Sequence, residues 1–252
     1  MKTITFIGNG NMALSIAQGL KDNYKLEVVG RDANKLELFE KNLGVPVQKY
    51  LLDGFDITDK TLLLCVKPAN VEEIATKFIG KAEVIYSVLA GTTIEKIKTN
   101  LNTNAVVRAM PNLAASVSKS MTTLTGDIAF KEEAINLLGT VGQTRWLGSE
   151  KEIDIATALA GSGPAYLALI AEALADGAVK QGLKRDDAME IMRGLFDGFG
   201  TLIQKTHPAL LKDGVMSPGG TTAAGYAALE EKNVRSACIN AVEAAYKKAT
   251  TL

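Results

Sequence analysis

The 252-residue chain has one histidine and two cysteines, and neither charge sign is in excess. His207 stands before Pro208 with no Cys, Asp or Glu at ligand spacing, which argues against a metal centre. Cys65 and Cys238 lie far apart and form no CxxC, so both read as buried small hydrophobes of a reducing compartment. Lys plus Arg and Asp plus Glu number 28 each, for a formal net charge of +0. That balance excludes the basic field that draws a protein to nucleic acid or to an anionic membrane. No GxSxG and no Ser/His/Asp grouping is present, which argues against hydrolysis. Long apolar runs are scarce too. The longest uncharged stretch, Ile155 to Ala171, contains Thr157 and Gly161-Ser162-Gly163-Pro164. It reads as two buried helical segments, broken well before they could span a bilayer. The apolar start is too short for a signal-peptide core, so a cytoplasmic location is expected.

What the chain does have is concentrated at its start. Thr3-Ile4-Thr5-Phe6-Ile7 reads as a buried strand, Gly8-Asn9-Gly10-Asn11-Met12-Ala13 follows at once, and Ala13–Leu20 reads as a helix. Strand, glycine turn and helix in that order form a dinucleotide-binding fingerprint. Gly8 permits the tight turn, and Gly10, without a Cβ, lets the backbone approach a pyrophosphate. Ala13 is small enough for close helix–strand packing. The helix amino end supplies N–H groups and partial positive charge for phosphates.

Strand and helix patterns then alternate. Strands are expected at Leu26–Gly30, Thr61–Val66, Glu83–Ser87, Ala105–Ala109, Met121–Leu124 and Gln143–Leu147, with a short edge strand at Val45-Pro46-Val47. Helices are expected at Asp32–Asn42, Val71–Ile79, Ile94–Asn100 and Lys131–Leu138. Near Gly148-Ser149-Glu150 the pattern changes, and only helical spacing follows, through Ile153–Leu183, Arg185–Thr206 and Val234–Lys248. The fold class is therefore α/β: a Rossmann-type, doubly wound, mainly parallel sheet over residues 1–150, and an all-helical domain over residues 151–252. The second domain is apolar for its size, which points to packing on a second subunit.

The strand ending at Gly30 carries no carboxylate there and is followed by Arg31, whose planar fork suits a 2′-phosphate. NADP is favoured, with NAD(H) as the alternative because Asp32 could turn toward a ribose. Val66-Lys67-Pro68 follows the next central strand, where ligands sit in an open α/β sheet. Ala90-Gly91-Thr92-Thr93 offers small residues for close cofactor approach, and Asn112 either bonds the nicotinamide end or caps its loop. In the helical half, Ser217-Pro218-Gly219-Gly220-Thr221-Thr222 leads into a helix expected over Ala223–Glu231. Bare N–H groups and hydroxyls there make a seat for a carboxylate, and equally a helix cap.

These motifs together resemble the pyrroline-5-carboxylate reductases. The resemblance is carried by Phe6–Met12, Val66-Lys67-Pro68, Ala90–Thr93, Arg108-Ala109-Met110-Pro111-Asn112, Gly161–Tyr166, Glu172–Gly177 and above all His207–Thr222. It covers nearly the whole chain in order. It implies hydride transfer from NAD(P)H to the imine carbon of Δ1-pyrroline-5-carboxylate, giving L-proline. It also implies that Ser217, Gly219, Gly220 and Thr221 bind the substrate carboxylate, and that Thr222 bonds the ring nitrogen as the catalytic hydroxyl. The cofactor would contact Gly8, Gly10, Asn11, Met12, Ala13, Arg31, Val66, Lys67, Pro68, Ala90, Gly91 and Asn112. The family builds homodimers through the helical domain, in places gathered into decamers, with sites shared between subunits. Two other readings compete: a β-hydroxyacid dehydrogenase using Lys180 as acid/base, and a non-catalytic NADP-binding sensor.

Overall fold

In the computed structural model, residues 1–250 are described. The chain forms two compact units: Met1–Ser162 together with the chain from Ala245 onward, and Gly163–Ala244. The break falls later than the change of sequence pattern near residue 150. A buried arginine explains why. Arg108 ion-pairs with Glu150 at 3.0 Å and Asp154 at 2.9 Å, tying that first helical stretch to the sheet.

The strands of the first unit are β1 (Thr3–Ile7), β2 (Lys25–Gly30), β3 (Gln48–Leu51), β4 (Phe55–Asp56), β5 (Thr61–Leu64), β6 (Phe78–Ile79), β7 (Ala82–Ser87), β8 (Thr103–Met110), β9 (Ser120–Gly126) and β10 (Gly142–Trp146). Its helices are α1 (Asn11–Leu20), α2 (Ala33–Leu43), α3 (Val71–Ala75), α4 (Ile94–Asn100), α5 (Lys131–Gly139) and α6 (Glu150–Ala156). Among the described residues, eight strands make one sheet in the order β10-β9-β8-β7-β5-β1-β2-β3, and β4 pairs with β6 apart from it. Every neighbouring pair is parallel except β8–β9.

Apolar runs become strands buried on both faces. Phe6, Leu63, Val84, Tyr86 and Val107 point to one core, with α1, α2 and α5. Ile7, Leu62, Leu64, Ile85 and Val106 point to the other, with α3 and α4. Successive residues alternate between the two because side chains along a strand have a period of two.

Two expected elements are displaced. The third strand is Gln48–Leu51, not Val45–Val47. Pro46 has no N–H, and the Val47 N–H donates to the Glu40 carboxylate at 2.9 Å, so ladder pairing starts only at Gln48. The helix expected over Val71–Ile79 ends at Ala75, and Phe78–Ile79 is a strand instead. Phe78 meets Phe55 edge-on across that small pairing.

The second unit contains α7 (Gly163–Lys180), α8 (Arg185–Leu202), α9 (Pro208–Val215), α10 (Thr221–Glu231) and the start of α11 (Val234–Ala249). The stretch Ile155–Ala171 is not a pair of buried segments. Its break is a π-type turn, Thr157–Gly161, and Pro164 lies in the first turn of α7, where its missing N–H costs nothing. Leu159, Leu167 and Leu169 are exposed. Cys238 is likewise exposed, not a buried hydrophobe, and both cysteines are free thiols.

Candidate active site

The strand order reverses between β1 and β5, and ligands of open α/β sheets bind at the carboxyl ends of strands beside such a point. A crevice of about 430 Å³ lies there, with Gly8, Asn9, Gly10, Arg31, Val66 and Lys67 among its lining. Gly8 has φ +105°, and a Cβ on it would stand 3.0 Å from the Cys65 carbonyl oxygen, so the turn demands glycine. A Cβ on Gly10 would meet nothing within 4 Å. That position faces open space at the amino end of α1. Gly10 is the cap of α1 and offers no side-chain hydrogen bond, and the first turn holds no acid. The first N–H groups of α1 are thus available to an anion.

Asn11 is exposed, Met12 half-buried and Ala13 fully buried under the sheet, so of the three Ala13 serves packing. Lys67 is exposed and extended, as the residue before a proline must be, and Pro68 opens a short 3-10 turn. Asp32 does not turn toward a ribose position. Its carboxylate accepts the N–H groups of Asn34 and Lys35, capping α2. Arg31 is left as the charged group at the end of β2, 3.4 Å from Glu73. Burial pushes the Cys65 thiol well above its ordinary range, which removes it as a nucleophile.

Ala90, Gly91 and Asn112 do not line this crevice. Gly91, with φ +65°, turns the chain after β7, and Thr93 caps α4 through the Lys96 N–H. The Asn112 side chain accepts from the Ala114 N–H at 3.1 Å and donates to the Ala160 carbonyl at 2.9 Å, so it displays the loop-capping fate.

One cluster was not foreseen. Glu150 accepts both from Arg108, at 3.0 Å, and from the Ile94 N–H at the start of α4, at 2.9 Å. It links the loop after β7 to β8. The available signal was Arg108 itself, a charge inside the apolar run Ala105–Met110, since a buried charge requires partners.

In the second unit the chain leaves α9 at Val215, turns through Ser217-Pro218-Gly219-Gly220 and enters α10 at Thr221. The helix therefore starts earlier than Ala223, and both threonine hydroxyls belong to its first turn. The Gly220 N–H donates to the Ser217 carbonyl at 3.0 Å, and Gly219 has φ +68°. A Cβ on Gly220 would fall 2.5 Å from the Ser217 Oγ, so only glycine lets that hydroxyl sit at the amino end of α10. Ser217, Thr221 and Thr222 are exposed. No side chain caps α10, and its first turn holds no acid. On the following turn, Tyr226 donates to Glu230 at 2.6 Å and lies under Lys212. The Glu230 hydrogen bond raises the Tyr226 phenol above its ordinary range, which keeps it protonated. His207 caps α9, its Nδ1 accepting from the Ala209 N–H at 3.2 Å.

Comparison with known proteins places these features in context. Residues 150–252 match the family model described as pyrroline-5-carboxylate reductase dimerisation, and residues 3–91 match that of the coenzyme F420-dependent NADP oxidoreductases. A pyrroline-5-carboxylate reductase of Helicobacter pylori is 32% identical over 98% of this chain and 99% of its own length. That of Synechocystis is 37% identical over 98% and 96%. Among solved structures, 1-pyrroline-5-carboxylate reductase from Streptococcus pyogenes superposes with a TM-score of 0.86 at 29% identity, covering 99% of this chain and 98% of that one. The Plasmodium falciparum pyrroline carboxylate reductase, solved with NADP bound, gives 0.80 at 25%, covering 100% and 99%.

Proposed function

The chain belongs to the pyrroline-5-carboxylate reductase family, and from that premise we propose that its two glycine-rich turns divide the work. Its activity is the NAD(P)H-dependent reduction of Δ1-pyrroline-5-carboxylate to L-proline. In our reading, the Gly8–Ala13 turn holds the dinucleotide diphosphate and the Ser217–Thr222 turn holds the substrate carboxylate. One observation carries this assignment. Among the helices with a described N-cap, α1 and α10 alone begin on a glycine, lack a side-chain cap and have no acid in the first turn. Elsewhere Asp32, Thr93, Ser149 or His207 fills the cap, or acids sit in the first turn. Of those helices, these two ends keep free donors and uncompensated positive dipole for an anion.

The residues present fit a dinucleotide, because Gly8 allows the tight turn and Gly10 leaves open space at the amino end of α1. When bound, the reduced nicotinamide supplies the hydride. Arg31 holds the 2′-phosphate of NADPH, and Asn11, Met12, Val66, Lys67 and Pro68 frame the nucleotide. Ala90, Gly91 and Asn112 support its nicotinamide end. Ser217, Gly219 and Thr221 fix the carboxylate through backbone N–H groups and hydroxyls, and Gly220, whose N–H goes to the Ser217 carbonyl, makes room for the Ser217 hydroxyl. Thr222 accepts or donates a hydrogen bond at the ring nitrogen, so that the C=N π pair moves onto that nitrogen as hydride reaches the imine carbon. A hydroxyl is a weak acid, so the proton comes from solvent or arrives with protonated substrate. Positioning and electrostatics then supply most of the rate.

The working unit in this proposal is a homodimer formed through the helical part, in the cytoplasm. Exposed Leu169, Ile191 and Leu195 on α7 and α8 support subunit packing. The helical stretch Glu150–Lys180 is long and apolar enough to cross a membrane, an 18-residue window of it reaching a mean hydropathy of 1.4. It lies within the residues matched by the dimerisation model, so its apolar surface is assigned to a second subunit and not to lipid.

The test follows absorbance of NADPH, and of NADH in parallel, as Δ1-pyrroline-5-carboxylate is added to purified protein. Imine-dependent oxidation is expected, faster with NADPH. A folded protein that binds NADPH but oxidises it with no imine would remove the substrate assignment. Oxidation of a hydroxy acid would instead favour Lys180 as acid/base.

A further inference from the structure

Beyond the nucleotide crevice, past Arg31, lies a smaller recess of about 210 Å³, lined by Arg31, Leu51, Leu52, Asp53, Glu73 and Lys77. Both cations in it are already paired. The two carboxylate oxygens of Glu73 stand 3.4 Å from the Arg31 guanidinium, and the Lys77 ammonium lies 2.9 Å from Asp53. Two positive and two negative side chains leave the recess without net charge. That is unusual for a place meant to receive a phosphate, where unopposed positive charge is the simplest design. The pair is also open to solvent, with Arg31 59% and Glu73 56% exposed, so it is weak enough to exchange partners.

From this geometry we infer that Glu73 is a specificity-determining residue. It competes with a 2′-phosphate for Arg31 and thereby sets how strongly the enzyme prefers NADPH to NADH. The inference rests on the proposed seat of the dinucleotide in the crevice. A nucleotide without the 2′-phosphate leaves the Arg31–Glu73 pair intact and feels little of Glu73. One with the phosphate brings up to about two negative charges. It must draw Arg31 away and then sit beside a carboxylate that has lost its partner. Glu73 therefore penalises one cofactor and not the other. Arg31 supplies the attraction and Glu73 limits it, so the ratio of the two nucleotides depends on both residues. The Asp53–Lys77 pair lines the same recess and holds Lys77 back from adding a second unopposed cation.

Calorimetric titration of the unliganded protein with 2′,5′-ADP and with 5′-AMP tests this directly. The proteins compared are the native chain, Glu73→Gln and Arg31→Ala. Glu73→Gln keeps the shape of the side chain and removes its charge. It should tighten 2′,5′-ADP by roughly two- to fivefold, the scale of one exposed ion pair, with 5′-AMP unchanged. The gain should shrink as salt is raised. The NADPH-to-NADH ratio of kcat/KM should rise by the same factor. Arg31→Ala should weaken 2′,5′-ADP and abolish the effect of Glu73→Gln in the double variant. An unchanged ratio in Glu73→Gln, or equal tightening of both nucleotides, would overturn the role of Glu73 while leaving the crevice as the cofactor seat. Failure of the native protein to bind either nucleotide would instead overturn that seat, and the inference with it.

Discussion

Thr222 is exposed at the start of α10, and no described hydrogen bond of the fold uses its hydroxyl. Thr222→Ala should therefore lower kcat by roughly ten- to a hundredfold, at or below the roughly hundred- to thousandfold cost of losing one positioned donor, while leaving the melting temperature in place. Steady-state kinetics beside a thermal melt separate these outcomes; unfolding with normal turnover per folded chain would remove the proposed role. Arg108 behaves in the opposite way. It is 1% exposed, and two carboxylates converge on it. Arg108→Met would strand Glu150 and Asp154, which are only partly buried, so the loss should be about 2–3 kcal/mol, at or below the usual cost of breaking a buried pair. Urea unfolding measures it. A loss under about 0.5 kcal/mol, the scale of an ordinary surface change, would mean that the ion pairs contribute little. Arg108 was visible as a residue, but its partners lie more than forty positions away, as the separation of 42 to Glu150 shows. No local pattern reports such a contact.

Among the elements, β3 shows how a side chain from outside a strand decides where the strand begins. Glu40, on α2, accepts the Val47 N–H and pairs with Lys49 at 2.9 Å. The backbone hydrogen bond first, and Lys49 second, hold its carboxyl below the ordinary glutamate range. A depressed carboxyl stabilises the fold fully above its unfolded value, and that stabilisation is lost as pH falls through the lower, folded value. Glu40→Gln should therefore lower the melting temperature near neutral pH and lose that difference in strong acid. A gap between the two proteins that does not narrow on acidification would contradict this. The helix expected over Val71–Ile79 failed for a similar reason. Its helical pattern was sound, but Phe78 finds an aromatic partner in Phe55, and tertiary pairing outweighs local propensity.

At the scale of the molecule, the two units differ in how they hide apolar surface. The sheet unit closes two cores of its own. In Gly163–Ala244, by contrast, Leu167, Leu169, Ile191, Leu195, Phe199 and Leu202 all remain exposed. Ile191, Leu195, Phe199 and Leu202 recur at helical spacing along α8, and an exposed apolar stripe of this kind marks an interaction surface. If the homodimer forms through this part, Leu169→Glu should raise its dissociation constant by about tenfold or more, since burying one unpaired charge exceeds the 1.4 kcal/mol that a factor of ten represents. Sedimentation at stepwise dilution checks this. A mass and activity unaffected by the substitution would place the interface elsewhere.

The sequence by itself determined the strand–glycine–helix start, the alternating strands and helices that follow, the switch to helices alone, and the family. These features depend on neighbours within a few residues, where periodicity and backbone sterics act. Gly8 is the clearest example: its position after a strand already required the positive φ observed. Only the tertiary structure decided which side chains meet. It joined Arg108 to Glu150 and Asp154, and set Glu73 against Arg31. Those outcomes follow from how distant segments are brought together by burial of the two cores, and the cost of burying or pairing a charge is decided only there.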